Sequence, residues 1–248
     1  MIKRYNFIAF SDNKKAIFLL FFLLFYSFKN YAQVPTSNVS KLAVTRNKTQ
    51  LKNELLEKKL VYGNQLFIRI YKQSNELEIW IKNKEIFTLF KTYNICFYSG
   101  NLGTKTKTGD GQAPEGIYKV FPNQMNPYSS YHLSFNIGYP NSFDQANGYT
   151  GSSIMVHGNC VSIGCFAMTN PIIEQIWTLM EAAFNQKQTF INVFIFPFKF
   201  ENKALNNFQV NNSYLFWKQL EPIDLAFNIS HKIPKVKVLN KKYVIVSQ

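Results

Sequence analysis

From Leu66 to Phe90 apolar and polar residues alternate with a period of two. The segments LFIRIY, ELEIWIK and EIFTLF each place their apolar side chains on one face, and Asn75 and Asn83-Lys84 fall between them at turn positions. A helix repeats its faces every 3.6 residues and cannot use this spacing. The stretch therefore reads as an antiparallel meander. Comparable patterns over residues 93–98, 116–121, 132–137, 153–157 and 191–196 bring the total to about eight strands. The expected class is mostly β, of the α+β type, with a few flanking helices.

Three stretches change to helical spacing. Near residues 48–60, Leu51, Leu55 and Leu56 share one face, behind a polar stretch over 33–46 that reads as a linker. After residue 170, Ile172, Ile173, Ile176, Trp177, Leu179, Met180 and Ala183 recur at helical spacing, with Asn170 placed to cap and Pro171 suited to the first helical position. A third helix is expected from Ala204 to Leu220, ending before Pro222, and a basic tail with a short strand pattern follows. The domain reading is 33–60 for linker and N-terminal helix, 61–198 for the main domain, and 199–248 for a C-terminal extension that serves as a lid or covers a sheet edge.

Ahead of these, AIFLLFFLLFYSF (16–28) follows Lys3, Arg4, Lys14 and Lys15, and is too short for a membrane span of roughly 20 residues. Residues 1–32 thus read as a signal peptide cut between Ala32 and Gln33, which places the product in the cell envelope, as a periplasmic protein. Asn30 departs from the small-x-small cleavage pattern, so an uncleaved anchor is the other reading. The chain carries a net charge of +14. Residues 1–32 hold five cations against one anion, so their removal leaves +10 and a preference for anionic partners. The basic residues are scattered, with no zinc-finger, RRM or P-loop pattern, which argues against nucleic acid. Three histidines with no H-x-x-x-H spacing and no Cys-x-x-Cys pair give no reason to expect a metal or cofactor.

Three cysteines, Cys96, Cys160 and Cys165, leave at least one thiol unpaired within the chain. Cys96 sits in an apolar strand pattern and reads as a small buried residue. Cys165 differs. In SSIMVHGNCVSIGCFAM a histidine closes a strand, and a cysteine follows it by eight residues, behind Ser162-Ile163-Gly164. A thiol nucleophile needs a nearby base and backbone freedom so that N–H groups can face an oxyanion. His157, Gly158, Gly164 and Cys165 are those residue types at a spacing a loop can close.

His157-Gly158 followed by Ser162-Ile163-Gly164-Cys165 resembles the H-G … S-x-G-C signature of the YkuD-type L,D-transpeptidases. GDGQAPEGIY (109–118) is similar to the family's Pro-x-Gly-x-Tyr turn and strand, and HLSFNIGYPN (132–141), HGNCVSIGCFAMTN (157–170) and IFPF (195–198) resemble its YafK-like branch. The resemblance covers residues 66–198. It implies a β-sandwich catalytic domain acting on peptidoglycan stem peptides. Cys165 is then the nucleophile that forms a thioester as D-alanine leaves, His157 the general base and acid, and the N–H groups of Gly164 and Cys165 the oxyanion donors. His132, Gly158 and Ser162 become substrate-binding candidates, with Tyr131 and Tyr139 beside them. The acceptor is open: an amine gives a crosslink or an anchored envelope protein, and water gives hydrolysis or release of linked peptide or protein.

Two positions depart from the family. Ile163 and Ala167 stand where many relatives carry His or Arg, including an arginine suited to a substrate carboxylate; Lys105, Lys107 and Lys119 are alternative cations. These departures keep open a non-catalytic peptidoglycan-binding module as a second class of function. Cys160 could pair with Cys165 or be an inert loop residue, His132 could be a strand histidine bonded to backbone, and His231 reads as structural or solvated.

Overall fold

A computed structural model of the chain describes residues 33–247. The expected signal segment and its cleavage site up to Ala32 lie outside the described residues. Helix α1 spans Asn38–Glu57, followed by strands β1 (Leu66–Tyr71), β2 (Glu76–Asn83), β3 (Ile86–Asn94), β4 (Phe97–Tyr98) and β5 (Gly116–Val120). Then come β6 (Met125–Asn126), β7 (Ser134–Asn136), α2 (Ser142–Ala146), β8 (Met155–His157), β9 (Phe166–Ala167), α3 (Asn170–Asn185) and β10 (Ile191–Phe196). Helix α4 (Tyr214–Ser230) and the hairpin β11 (Lys235–Leu239) and β12 (Lys242–Ser247) close the chain. Among the described residues, no helix is long and apolar enough to cross a membrane.

The expected meander is present: β1, β2 and β3 pair antiparallel in sequence order. β1 also takes β10 as a parallel neighbour, giving a sheet ordered β3-β2-β1-β10-β5, and a second five-stranded sheet runs β4-β9-β8-β7-β6. Between the two sheets lies one apolar core. Ile68, Ile70, Ile79 and Val193 of the first sheet join Phe135, Val156 and Phe166 of the second, with Trp177 of α3 and Leu51 of α1 closing the ends. This is the expected sandwich with flanking helices.

The other phase of the alternation meets a second core rather than water. Phe67, Tyr71, Trp80 and Phe194 pack against Trp217, Leu220, Ile223 and Phe227 of α4. The C-terminal extension therefore covers a sheet face, not a sheet edge. Its burial reaches charges as well: Arg69 of β1 pairs with Glu78 of β2 at 2.8 Å and with Asp224 of α4 at 3.0 Å, and the Tyr71 hydroxyl donates to Asp224 at 2.7 Å.

Several boundaries differ from those read in the sequence. Helix α1 starts at Asn38, within the stretch read as a linker, because Ser37 caps it in a reciprocal pair with Ser40 and Ala43 is buried. Helix α4 begins ten residues later than expected and runs through Pro222, since Leu220, Ile223, Ala226 and Phe227 bury on both sides of the proline. The stretch expected as one helix from Ala204 instead starts with a short 3-10 turn over Ala204–Phe208. The strand expected over 132–137 shrinks to Ser134–Asn136, because His132 adopts a left-handed φ of 71°.

Candidate active site

β8 and β9 run parallel with His157 opposite Ala167, joined by a connection shorter than parallel neighbours usually need. The chain doubles back through two left-handed residues, Asn159 (φ 71°) and Cys160 (φ 50°). Three ties hold that turn. The Asn159 N–H donates to the Asn170 side chain at 2.9 Å, the Cys160 N–H donates to the Met168 carbonyl at 3.2 Å, and Cys160 forms a disulfide with Cys96, 64 residues away. Cys160 thus pairs with Cys96, which was read as a lone buried residue, and Cys165 is the free thiol. Asn170 is the first residue of α3, and its side chain staples the turn where the sequence reading had it capping the helix.

At this turn Gly158 has no room for a side chain. A Cβ there would lie 2.6 Å from Asn170 Oδ1 and 2.9 Å from the Tyr131 carbonyl. The Gly158 N–H donates to that same carbonyl at 3.0 Å, and the Gly158 carbonyl accepts from His157 Nδ1 at 2.6 Å. Because a carbonyl only accepts, this bond puts the imidazole proton on Nδ1 and leaves the Nε2 lone pair to take a proton. The buried ring lies against Tyr131 with centroids 4.7 Å apart, and burial holds its pKa below the ordinary imidazole value. At neutral pH His157 is an uncharged base.

Cys165 sits one residue before β9, half-buried. Its Sγ accepts from the Met155 N–H at 3.3 Å and reaches the Ser153 carbonyl at 3.9 Å; among the described residues no hydrogen bond links it to the imidazole. Burial pushes the thiol up, with the Met155 N–H and the Lys105 charge pulling the other way. The resting pair is therefore thiol and neutral imidazole. Ser162 Oγ donates to the Cys165 carbonyl at 2.7 Å and accepts from the Gly164 N–H at 3.1 Å. Gly164, expected as an oxyanion donor, thus has its N–H engaged by Ser162, and its φ of 142° is one that side-chain-bearing residues avoid.

The upstream GDGQ motif reaches the same place. The Gln112 carbonyl lies 3.8 Å from where a Gly164 Cβ would be. Asp110 organises this loop by accepting from the N–H groups of Thr106, Lys107 and Gln112 and from Lys105 Nζ, and these contacts hold its carboxyl down at about 2. Of the three alternative cations, Lys105 is the one whose charge reaches the thiol. Lys119 instead lies 4.4 Å over the Phe190 ring. Tyr139 is buried with its hydroxyl 3.2 Å from the Lys105 carbonyl, so it supports the loop. Ile163 is 92% exposed, and Ala167 is fully buried in β9.

His132 does not turn towards the thiol. Its Nε2 donates to Glu174 Oε1 of α3 at 2.8 Å, and the same carboxylate receives Arg46 at 3.2 Å and Asn47 at 3.3 Å from α1. His231 ends α4 in a left-handed conformation, its ring 5.5 Å from that of Trp80, a structural place.

Residues 65–193 match YkuD, the L,D-transpeptidase catalytic domain. The chain is also 40% identical over 188 residues, 76% of its length and 76% of the relative's, to "Putative L,D-transpeptidase YafK" of Escherichia coli strain K12, and equally so to the protein of the same name in strain O157:H7. The chain belongs to the YkuD family of L,D-transpeptidase catalytic domains. Among solved structures, the helical cell shape determining protein Pgp2 of Campylobacter jejuni aligns over 81% of this chain and 81% of its own at 16% identity, TM-score 0.44. Its K307A mutant aligns over 77% and 66% at 19% identity, TM-score 0.46.

Within this L,D-transpeptidase domain, sequence reasoning missed the groups that act across long separations. Glu174 sits on a helix whose sequence shows an apolar stripe, while Arg46 ends the stretch that reads as a linker and Asn47 follows it, both inside α1. The Cys96–Cys160 bridge was equally invisible, because three cysteines allow three pairings and spacing favours none of them.

Proposed function

We propose that this protein is an exported cysteine acyltransferase acting on peptidoglycan stem peptides, with Cys165 as nucleophile and His157 as general base and acid. The observation that carries the reading is the His157 tautomer. His157 lies on the strand that pairs with the one following the free thiol Cys165, and its Nδ1–H is held by the Gly158 carbonyl, so Nε2 is the atom available to take the Sγ proton. Sγ then attacks the carbonyl of the diamino acid residue, and Nε2–H passes its proton to the departing D-alanine amine. A thioester remains on Cys165, and an amine or water resolves it. The Cys165 N–H serves the oxyanion, joined by the Gly164 N–H when Ser162 releases it. Ser162 and Gly158 hold the loop, and Lys105, buried and paired with Asp110 at 2.6 Å, ties down the GDGQ loop. A disulfide supports export, since such bonds persist in oxidising compartments such as the periplasm. Family membership supports the substrate class.

The test is product analysis. Residues 33–248, wild type and Cys165→Ala, are incubated with cell-wall sacculi and with a defined tetrapeptide muropeptide. The reading requires D-alanine release by wild type alone. New crosslinks in the products identify an amine acceptor, while freed peptide or protein without new bonds identifies water. Turnover retained in Cys165→Ala refutes the mechanism, and binding without turnover in either protein identifies a non-catalytic wall-binding module.

A further inference from the structure

The outer surface of α4 carries one lysine among apolar residues where a solvent-facing helix is normally mostly charged. Leu215, Lys218, Pro222, Leu225 and Ile229 fall on a single narrow stripe at helical spacing, all exposed, with Leu215 at 74% and Ile229 at 86%. The opposite side of the helix is already committed to the second core through Trp217, Leu220, Ile223 and Phe227. Among the described residues, nothing covers the apolar positions of this stripe.

The hairpin beside it adds charge of one sign. After Asp224 the chain contains five lysines and no acidic residue. β11 and β12 direct Val236, Val238, Tyr243 and Ile245 towards the aromatic core, leaving Lys235, Lys237 and Leu239 exposed on β11, with Val244 opposite Lys237 and Lys242 opposite Leu239. The hairpin is fixed to the helix by the Tyr243 N–H, which donates to Gln219 at 3.0 Å. The nearest helix carboxylates are Asp224, buried against Arg69, and the half-buried Glu221.

We propose that this outer face of the C-terminal extension binds an anionic lipid surface. Lysines interleaved with exposed Leu and Val match phosphate headgroups above acyl chains. A hydrated anionic polymer would satisfy the lysines but leave the apolar stripe in water. A second copy of this face would set lysine against lysine. The stripe points away from the first sheet, and the sheet carrying His157 and Cys165 lies on the far side of that sheet. Docking therefore leaves the nucleophile layer turned away from the membrane.

The experiment is flotation of residues 33–248, which hold both hydrophobic cores and the disulfide, with vesicles. Phosphatidylglycerol-rich vesicles should carry the protein and phosphatidylcholine vesicles should not, and binding should weaken with salt. Lys235→Glu and Lys237→Glu, each a change of two charges, should each lower partition by about fivefold or more, and Leu215→Ser with Ile229→Ser should lower it by about tenfold or more. Alkylation of Cys165 by iodoacetamide, unchanged in these variants, certifies their fold, and Leu225→Ser replaces any variant that fails it. Equal binding to both vesicle types, or variants that bind as wild type does, overturns the proposal. So does loss of a dimer in Ile229→Ser, which assigns the stripe to a second copy. Binding to lipid-free sacculi that these variants abolish, with no vesicle binding, also overturns it and assigns the face to a wall polymer.

Discussion

Glu174 gathers the contacts that place the tyrosine over the His157 imidazole. Its carboxylate fixes His132, the residue next to Tyr131, and Tyr131 both covers the His157 ring and accepts the Gly158 N–H. Glu174→Ala should release this loop and lower kcat by roughly a hundredfold, the cost of misplacing a reacting group by about an ångström. Glu174→Gln, which still accepts from His132, should retain most activity. Burial is what depresses the His157 pKa, so loss of the tyrosine cover should move the acid limb of Cys165 alkylation up, towards the ordinary value of about 6.5. A pH profile of alkylation in the alanine variant, unshifted from wild type, would reject the positioning role. Asp144 gives a second pH signature. Its carboxyl is fully buried, one oxygen has no hydrogen-bond partner among the described residues, and burial raises its pKa to about 6. A raised folded pKa means that the contribution is present below the unfolded value of about 3.9 and is lost as pH rises through about 6. In urea unfolding, wild type should lose stability relative to Asp144→Asn across that window, and the gap should then stay constant at higher pH.

At the scale of elements, the β8–β9 connection and the first sheet are each held by partners far along the chain. The Cys96–Cys160 bridge closes a loop of 64 residues, and its removal in a Cys96→Ala/Cys160→Ala variant should cost about 2–4 kcal/mol in urea unfolding. The same variant should react more variably at Cys165, because the left-handed turn before Ser162 loses one of its three ties. The Arg69–Glu78–Asp224 cluster is a different kind of anchor. Asp224→Ala leaves Arg69 with Glu78 and the Asn228 side chain but takes the acceptor from the buried Tyr71 hydroxyl, and should destabilise the protein by about 1–3 kcal/mol by the same measurement. If Asp224→Ala unfolds like wild type, α4 is not held to the sheet through that pair.

Across the whole molecule, legibility followed sequence distance. The candidate site segment was readable because His157, Gly158, Ser162, Gly164 and Cys165 lie within nine residues, and local spacing is what a motif records. The meander was readable because β1, β2 and β3 pair with their sequence neighbours. The alternation in LFIRIY implied one wet face, yet Arg69 and Tyr71 are buried, since α4 arrives from about 150 residues later to cover them. Lys72 was unremarkable in the sequence for the same reason. It is fully buried against Glu115 at 3.0 Å, and Trp217 of α4 donates to the other oxygen of that carboxylate at 2.7 Å. The disulfide and the Glu174 cluster were unreadable because nothing local marks which partner a cysteine or a carboxylate will meet.

The central claim is that Cys165 carries the acyl group, and intact-protein mass spectrometry after brief exposure to the tetrapeptide muropeptide addresses it directly. The account predicts an adduct of the donor minus D-alanine on wild type, localised to Cys165, labile to hydroxylamine, and absent from Cys165→Ala. Turnover of the muropeptide with no adduct at Cys165, or an adduct that persists in Cys165→Ala, would contradict it.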